Sequence, residues 1–120
     1  MMKAFWNNCG RGVASNSAKE VDLAQAALIW TDELNGVKGN YFGLIDDNGN
    51  TIQFYFDESI PDEVDDAGHL PIVFMDFPQP ERKGSYATHV TIREVHGLIE
   101  KVFDAGADYR KFGNLPFALW

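Results

Sequence analysis

The stretch "NYFGLIDDNGNTIQFYFD", Asn40 to Asp57, decides the fold. Two runs rich in aromatic and β-branched residues flank Asn48-Gly49, the dipeptide that most strongly signals a tight β-hairpin. If Asn48-Gly49 is the two-residue turn, the register follows. Asp47 opposes Asn50, Ile45 opposes Ile52, Gly43 opposes Phe54 and Tyr41 opposes Phe56 on one face, while Leu44 with Gln53 and Phe42 with Tyr55 share the other. Gly43 then makes room for Phe54. Both faces are substantially apolar, so one packs on helices and the other is either covered too or open to a partner. A calcium loop in "DDNGN" is excluded, because Gly49 at the sixth loop position puts Leu44 where the first carboxylate ligand belongs.

Working outward, "SAKE" at Ser17 to Glu20 fits a capping box and predicts a helix over about 17–35. Val21, Ala24, Leu28 and Leu23, Ala27, Trp30, Leu34 recur at three- and four-residue spacing until "NGVKGN" stops the run. Downstream, "HLPIVFMDF" has the length of a buried strand, and "SYATHV" reads as another, with Tyr86, Thr88 and Val90 on one face and Ser85, Ala87 and His89 on the other. "TIRE" at Thr91 to Glu94 is a second capping box. It opens a helix over about 91–105 with an apolar stripe of Ile92, Val95, Ile99, Val102 and Phe103, ended by Gly106. Gly97 inside it costs about 1 kcal/mol against alanine and leaves room for another element to approach. The tail "KFGNLPFALW" reads as an edge strand or a packed arm. With no repeat and no linker, residues 1–120 form a single α+β domain, mainly an antiparallel sheet of about 4–6 strands packed with two main helices.

Composition agrees with a packed core: 45% of the 120 residues are hydrophobic and 13% aromatic. "MMKAFW" breaks at Asn7, too short for the apolar region of a signal peptide, and no later run approaches a membrane span, which places the chain in the cytoplasm. Cys9 is the only cysteine, so no internal disulfide and no thiolate zinc cluster can form. The net charge of -8 is uneven. Residues 1–39 are balanced and residues 81–120 carry a net +1, while residues 40–80 hold nine carboxylates and no Lys or Arg. A field of one sign repels nucleic acid and attracts basic partners or cations.

Catalytic motifs are scarce. There is no phosphate-cradling glycine loop, no nucleophile elbow and no His-Glu-x-x-His. Cys9 sits in "NNCGRG" near Arg11, and a nucleophilic role would need a histidine brought close by the fold. His69, His89 and His96 read as structural or surface histidines rather than ligands. The acidic run "DESIPDEVDDAGH", Asp57 to His69, leaves three readings open. It is a solvated connection, a hard-cation site using Asp62, Glu63, Asp65 and Asp66, or a protein-docking surface in which Ile60 and Val64 add apolar contact.

From Val90 onward, "VTIREVHGLIEKVFDAG" followed by "PFALW" resembles the C-terminal signature of the Imm1-type immunity proteins of bacterial polymorphic toxin systems. Val90, Thr91, Glu94, Phe103, Gly106, Pro116 and Trp120 occupy the signature places, and the upstream order of helix, hairpin and further strand is also similar. The departure is "ADYRKFGNL" between Gly106 and Pro116, where the family passes almost directly from Gly to Pro. The resemblance implies a non-enzymatic inhibitor, without cofactor or metal, that binds a cognate toxin such as a nuclease or deaminase. Its partner surface would be Asp57, Glu58, Asp62, Glu63, Asp65 and Asp66, with Ile60 and Tyr55 as anchors, facing a basic toxin domain. The alternative is a small-ligand-binding domain or small enzyme, with a pocket between sheet and helices lined by Tyr41, Phe54, Tyr55 and Trp30.

Overall fold

A computed structural model describes residues 1–120. In chain order the strands are β1 (Lys3–Asn8), β2 (Arg11–Val13), β3 (Lys19–Glu20), β4 (Tyr41–Ile45), β5 (Thr51–Phe56), β6 (Val73–Gln79), β7 (Gly84–Val90) and β8 (Phe117–Leu119). Helix α1 (Leu23–Leu28) runs on into a wider π turn over Ile29–Glu33, and α2 covers Ile92–Ala105. All strands join one antiparallel sheet in the order β2-β1-β4-β5-β6-β7-β8, with β3 pairing the start of β1. The class is α+β, with eight strands where about 4–6 were expected from the sequence pattern. The additional ones lie at the N-terminus, where "KAFWNN" pairs with β4 inside the sheet.

The central hairpin forms, but one residue out of the predicted register. Tyr41 pairs with Tyr55, Phe42 with Phe54, Gly43 with Gln53, Leu44 with Ile52 and Ile45 with Thr51. The cause is Asp46. Its Oδ1 accepts from the backbone N–H groups of Asn48 at 3.0 Å and Asn50 at 2.9 Å, which makes a wider loop instead of a two-residue turn. A slip of one residue exchanges the faces of every side chain on one strand relative to the other. Phe42, Leu44, Ile52, Phe54 and Phe56 therefore share one buried face. Gly43 makes room for Phe5 rather than Phe54: a Cβ there would run into the Phe5 ring. A two-residue hairpin loop does exist, at Cys9-Gly10 between β1 and β2, with φ of 52° and 89°.

The first helix is shorter than expected. Ser17 ends a 3₁₀ turn and Lys19–Glu20 pair with β1, so "SAKE" is not a capping box. Asp22 and Gln25 make the box instead, each side chain bonding the other's backbone N–H at 2.8 Å. The buried face is Ala26, Trp30 and Leu34, with Val21 just before the helix, while Leu23 and Leu28 are exposed. The second helix follows the sequence closely. Thr91 and Glu94 cap each other, Val95, Ile99 and Val102 are fully buried, and Gly106 with φ 84° ends it. Gly97 is solvent-facing, with nothing within reach of a Cβ, so no element approaches there.

Both helices contribute to one core of 19 buried residues with the alternate residues of β4 to β7. Trp30 stacks on Phe56 with ring centroids 5.4 Å apart and meets Phe54 edge-on at 6.3 Å. No helix is long and apolar enough to cross a membrane.

Candidate functional site

The sheet face turned away from the helices carries the other alternate residues. From the register these are Phe5 and Asn7 on β1, Tyr41 and Gly43 on β4, Gln53 and Tyr55 on β5, Phe74 and Asp76 on β6, and Ser85, Ala87 and His89 on β7. Phe5 lies over Gly43 with its ring edge toward Tyr41, centroids 6.1 Å apart. Tyr55 stacks on Phe74 at 5.4 Å, and Phe74 meets the His89 ring edge-on at 4.6 Å. Phe5 is itself buried, whereas Tyr41, Tyr55 and Phe74 are held half-open by cross-strand pairing. Tyr41 and Tyr55 share this face, whereas Phe54 and Trp30 are in the core behind the sheet. The four do not line a common pocket, as the ligand alternative expected.

Between the last residue of β5 and the first of β6, the acidic run crosses one end of the sheet. It is fastened at several points. Asp57 N–H donates to the Ile72 carbonyl at 2.8 Å, Ile60 N–H to the Gly36 carbonyl at 2.8 Å, and Lys38 N–H to Ser59 Oγ at 2.8 Å. Asp57 points to the open face, with its Oδ2 2.9 Å from His89 Nε2. Asp66 lies toward the helix side, where it accepts from Gly68 N–H at 2.9 Å and Arg93 Nη2 at 2.6 Å. Those bonds, the Gly68 amide first, hold its carboxyl below the usual carboxylate range.

The eight predicted contact residues therefore divide by role. Glu58, Asp62, Glu63 and Asp65 are exposed and have no ion partner within the chain. Asp57 is half-exposed and Asp66 exposed, and both are paired internally. The Ile60 side chain occupies the space over Gly36 and packs against the core, which leaves it only partly accessible. Tyr55 stands on the open face between two carboxylates: burial raises its phenol above the usual value, and the charges of Asp76 and Asp57 add to that. Asp62, Glu63, Asp65 and Asp66 do not gather into a group able to hold a cation.

Two hollows adjoin this surface. A groove of about 600 Å³, open to solvent, is lined by Asp57, Glu58, Leu70, Pro71, Ile72 and His89. Further along the open face lies a smaller hollow of about 190 Å³, which includes Tyr55, Phe74, Asp76, Ser85 and Trp120 in its lining. Gln53 Nε2 donates to Asp76 Oδ2 at 3.0 Å, and the Trp120 indole N–H donates to Ser85 Oγ at 2.8 Å. Burial raises the Asp76 carboxyl above its ordinary range, against the pull of hydrogen bonds from Ser85 and Gln53. Asp76, Phe74 and Trp120 escaped the sequence reading as site residues. The available signal was the alternation in "VFMDFPQ", which sets an Asp on the same strand face as Phe74.

The remaining candidates stand apart. Cys9 is exposed in its turn, where its N–H donates to Asn40 Oδ1 at 2.8 Å. His96 lies 3.5 Å from Glu100 on the exposed side of α2, and His69 is exposed at the end of the acidic run. Compared with known protein families, characterised proteins and solved structures, the chain matches none of them.

Proposed function

We propose that the chain is a non-enzymatic immunity protein. It docks on a basic cognate toxin domain of the nuclease or deaminase kind through the acidic end of its sheet and the adjoining open face. The observation that carries this reading is the placement of Glu58, Asp62, Glu63 and Asp65. They are four exposed carboxylates without internal partners, on a run that crosses one end of the sheet and begins, at Asp57 and Glu58, beside the half-open aromatic surface, in a 41-residue stretch that contains no Lys or Arg. Such a surface speeds capture of a partner whose cleft is built to hold phosphates, and the aromatic groups supply the desolvated contacts that surface charges alone do not.

The test uses a basic nuclease or deaminase toxin domain from the same source and follows association at about 0.05 and 0.5 M salt, over which the Debye length falls from roughly 14 Å to 4 Å. Association should slow by about tenfold or more across that range. A variant with Glu58→Gln, Asp62→Asn, Glu63→Gln and Asp65→Asn should associate slowly at both salts and keep its melting temperature. Salt-insensitive association of the unaltered protein would sink the charged surface, and binding without loss of toxin activity would sink the inhibitor reading.

The groove at Asp57 and His89 favours a second reading, a small-ligand site. Thermal-shift hits that vanish in His89→Ala but survive the four-carboxylate variant would support it.

A further inference from the structure

We infer that the hollow around Asp76 is a receptor for a single arginine side chain of a protein partner. The inference deepens the docking reading above, because it names the side chain on the partner and its seat on the open face.

Three observations lead there. First, Asp76 is a half-buried carboxylate with no cation of its own: no Lys, Arg or His in the chain lies within ion-pair distance of it. Taking a charge partly out of water costs free energy that a paired cation would offset, and this carboxylate has only neutral hydrogen bonding. A residue serving the fold alone would do better as an amide or a hydrocarbon at that position.

Second, the walls are aromatic. Tyr55 and Phe74 present stacked rings on one side, and Trp120 closes the other with its indole anchored to Ser85. Trp120 is 71% exposed, and Leu119 beside it 74%, so this wall is not covered by anything in the chain. Aromatic faces around a carboxylate attract a cation twice, by charge pairing and by the ring quadrupole. A guanidinium suits the arrangement better than an ammonium, since its flat, weakly hydrated plate stacks on rings and forks onto a carboxylate.

Third, the segment of residues 40–80, which supplies Tyr55, Phe74 and Asp76, carries no Lys or Arg of its own. The acidic groove at Asp57 and Glu58 shares Tyr55 as its neighbour through the carboxylate of Asp57. A basic segment laid along this face would meet Asp57 and Glu58 at the sheet end and Asp76 in the hollow.

The experiment is a nuclear magnetic resonance titration that follows the Trp120 indole N–H. The probes are N-acetyl-arginine amide, its lysine counterpart and the uncharged citrulline isostere. The arginine probe should shift the resonance saturably with a dissociation constant in the millimolar range. The lysine and citrulline probes should bind more weakly, citrulline by about tenfold or more, equivalent to 1.4 kcal/mol. Asp76→Asn should lose the same factor while its other resonances stay in place, and Phe74→Leu provides an independent test should the Asn variant fold poorly.

A shift that never saturates overturns the inference. So does equal binding of arginine and citrulline, equal binding of arginine and lysine, or undiminished binding by both variants. Arginine binding without any toxin-domain binding would keep the pocket and remove the inhibitor reading. Toxin binding untouched by Asp76→Asn would do the reverse.

Discussion

The two faces of the sheet are built from alternate residues of the same strands, yet they are different materials. Toward the helices stand Phe42, Leu44, Ile52, Phe54, Phe56, Val73, Met75 and Phe77, all buried hydrocarbon. On the other side, one residue away each time, stand Tyr41, Gln53, Tyr55, Phe74, Asp76, Ser85 and His89, rings mixed with hydrogen-bonding groups. The first face has one task, to exclude water, and any polar atom there would be a cost. The second tolerates a half-buried carboxylate and half-exposed rings, which is where binding chemistry can be kept without endangering the core.

The sharpest test of that division uses two neighbours in the chain. Phe54 is fully buried and packs on Trp30, so Phe54→Ala should cost about 3–5 kcal/mol in urea unfolding. Tyr55→Ala, on the opposite face, should cost about 1 kcal/mol or less while abolishing saturable binding of the arginine probe. Comparable destabilisation by the two substitutions would break the distinction between a structural and a binding face.

Why the sequence showed one face better than the other has a physical answer. Helix α2 was legible from end to end, because its caps are local pairs: Thr91 with Glu94, and Gly106 three residues after Phe103. The hairpin was legible as a hairpin but not in register. Asn48-Gly49 is a strong turn signal, and the side chain that overrules it, Asp46, also accepts from Ala107 N–H at 2.9 Å, sixty-one positions away. The alternation of Thr51, Gln53 and Tyr55 against Ile52, Phe54 and Phe56 held the correct register, because a period of two reports the buried face directly.

At the N-terminus, "NNCGRG" hid a tight hairpin behind a cysteine at positive φ, a position that Asn, Asp or Gly normally fills. The acidic run and Tyr55 could be marked as a surface from composition alone. Asp76 and Trp120 could not be joined to it, since only strand pairing of β5 with β6, β6 with β7, and β7 with β8 brings them together.

Asp76 also gives the comparison a pH dependence. Burial raises its carboxyl in the folded protein, so between the ordinary carboxylate value and the raised one the folded state holds more proton than the unfolded. Stability from this group is therefore lost as pH rises through that window. The group is a burden at neutral pH and none in acid below the ordinary value. Asp76→Asn should raise the melting temperature by a few degrees at pH 7, and the gain should shrink as pH falls through the carboxylate range. A lowered melting temperature at pH 7 would mean that the charge is already compensated within the fold, and with it the reason to expect an external cation would go.

The smallest expected effect isolates the folding side of the comparison. Gly97 lies in the middle of α2, exposed, with open space where a Cβ would stand. Gly97→Ala should stabilise the protein by about 0.5–1 kcal/mol, since alanine restricts the unfolded chain and suits the helix. The substitution lies on the helix side of the sheet, away from Tyr55 and Asp76, which belong to the opposite face. Its denaturation midpoint should rise, and its arginine-probe titration should superimpose on that of the unaltered protein. A changed titration would mean that the open face takes its shape from how tightly the helices hold the core, and the two faces would then be coupled parts of one binding device.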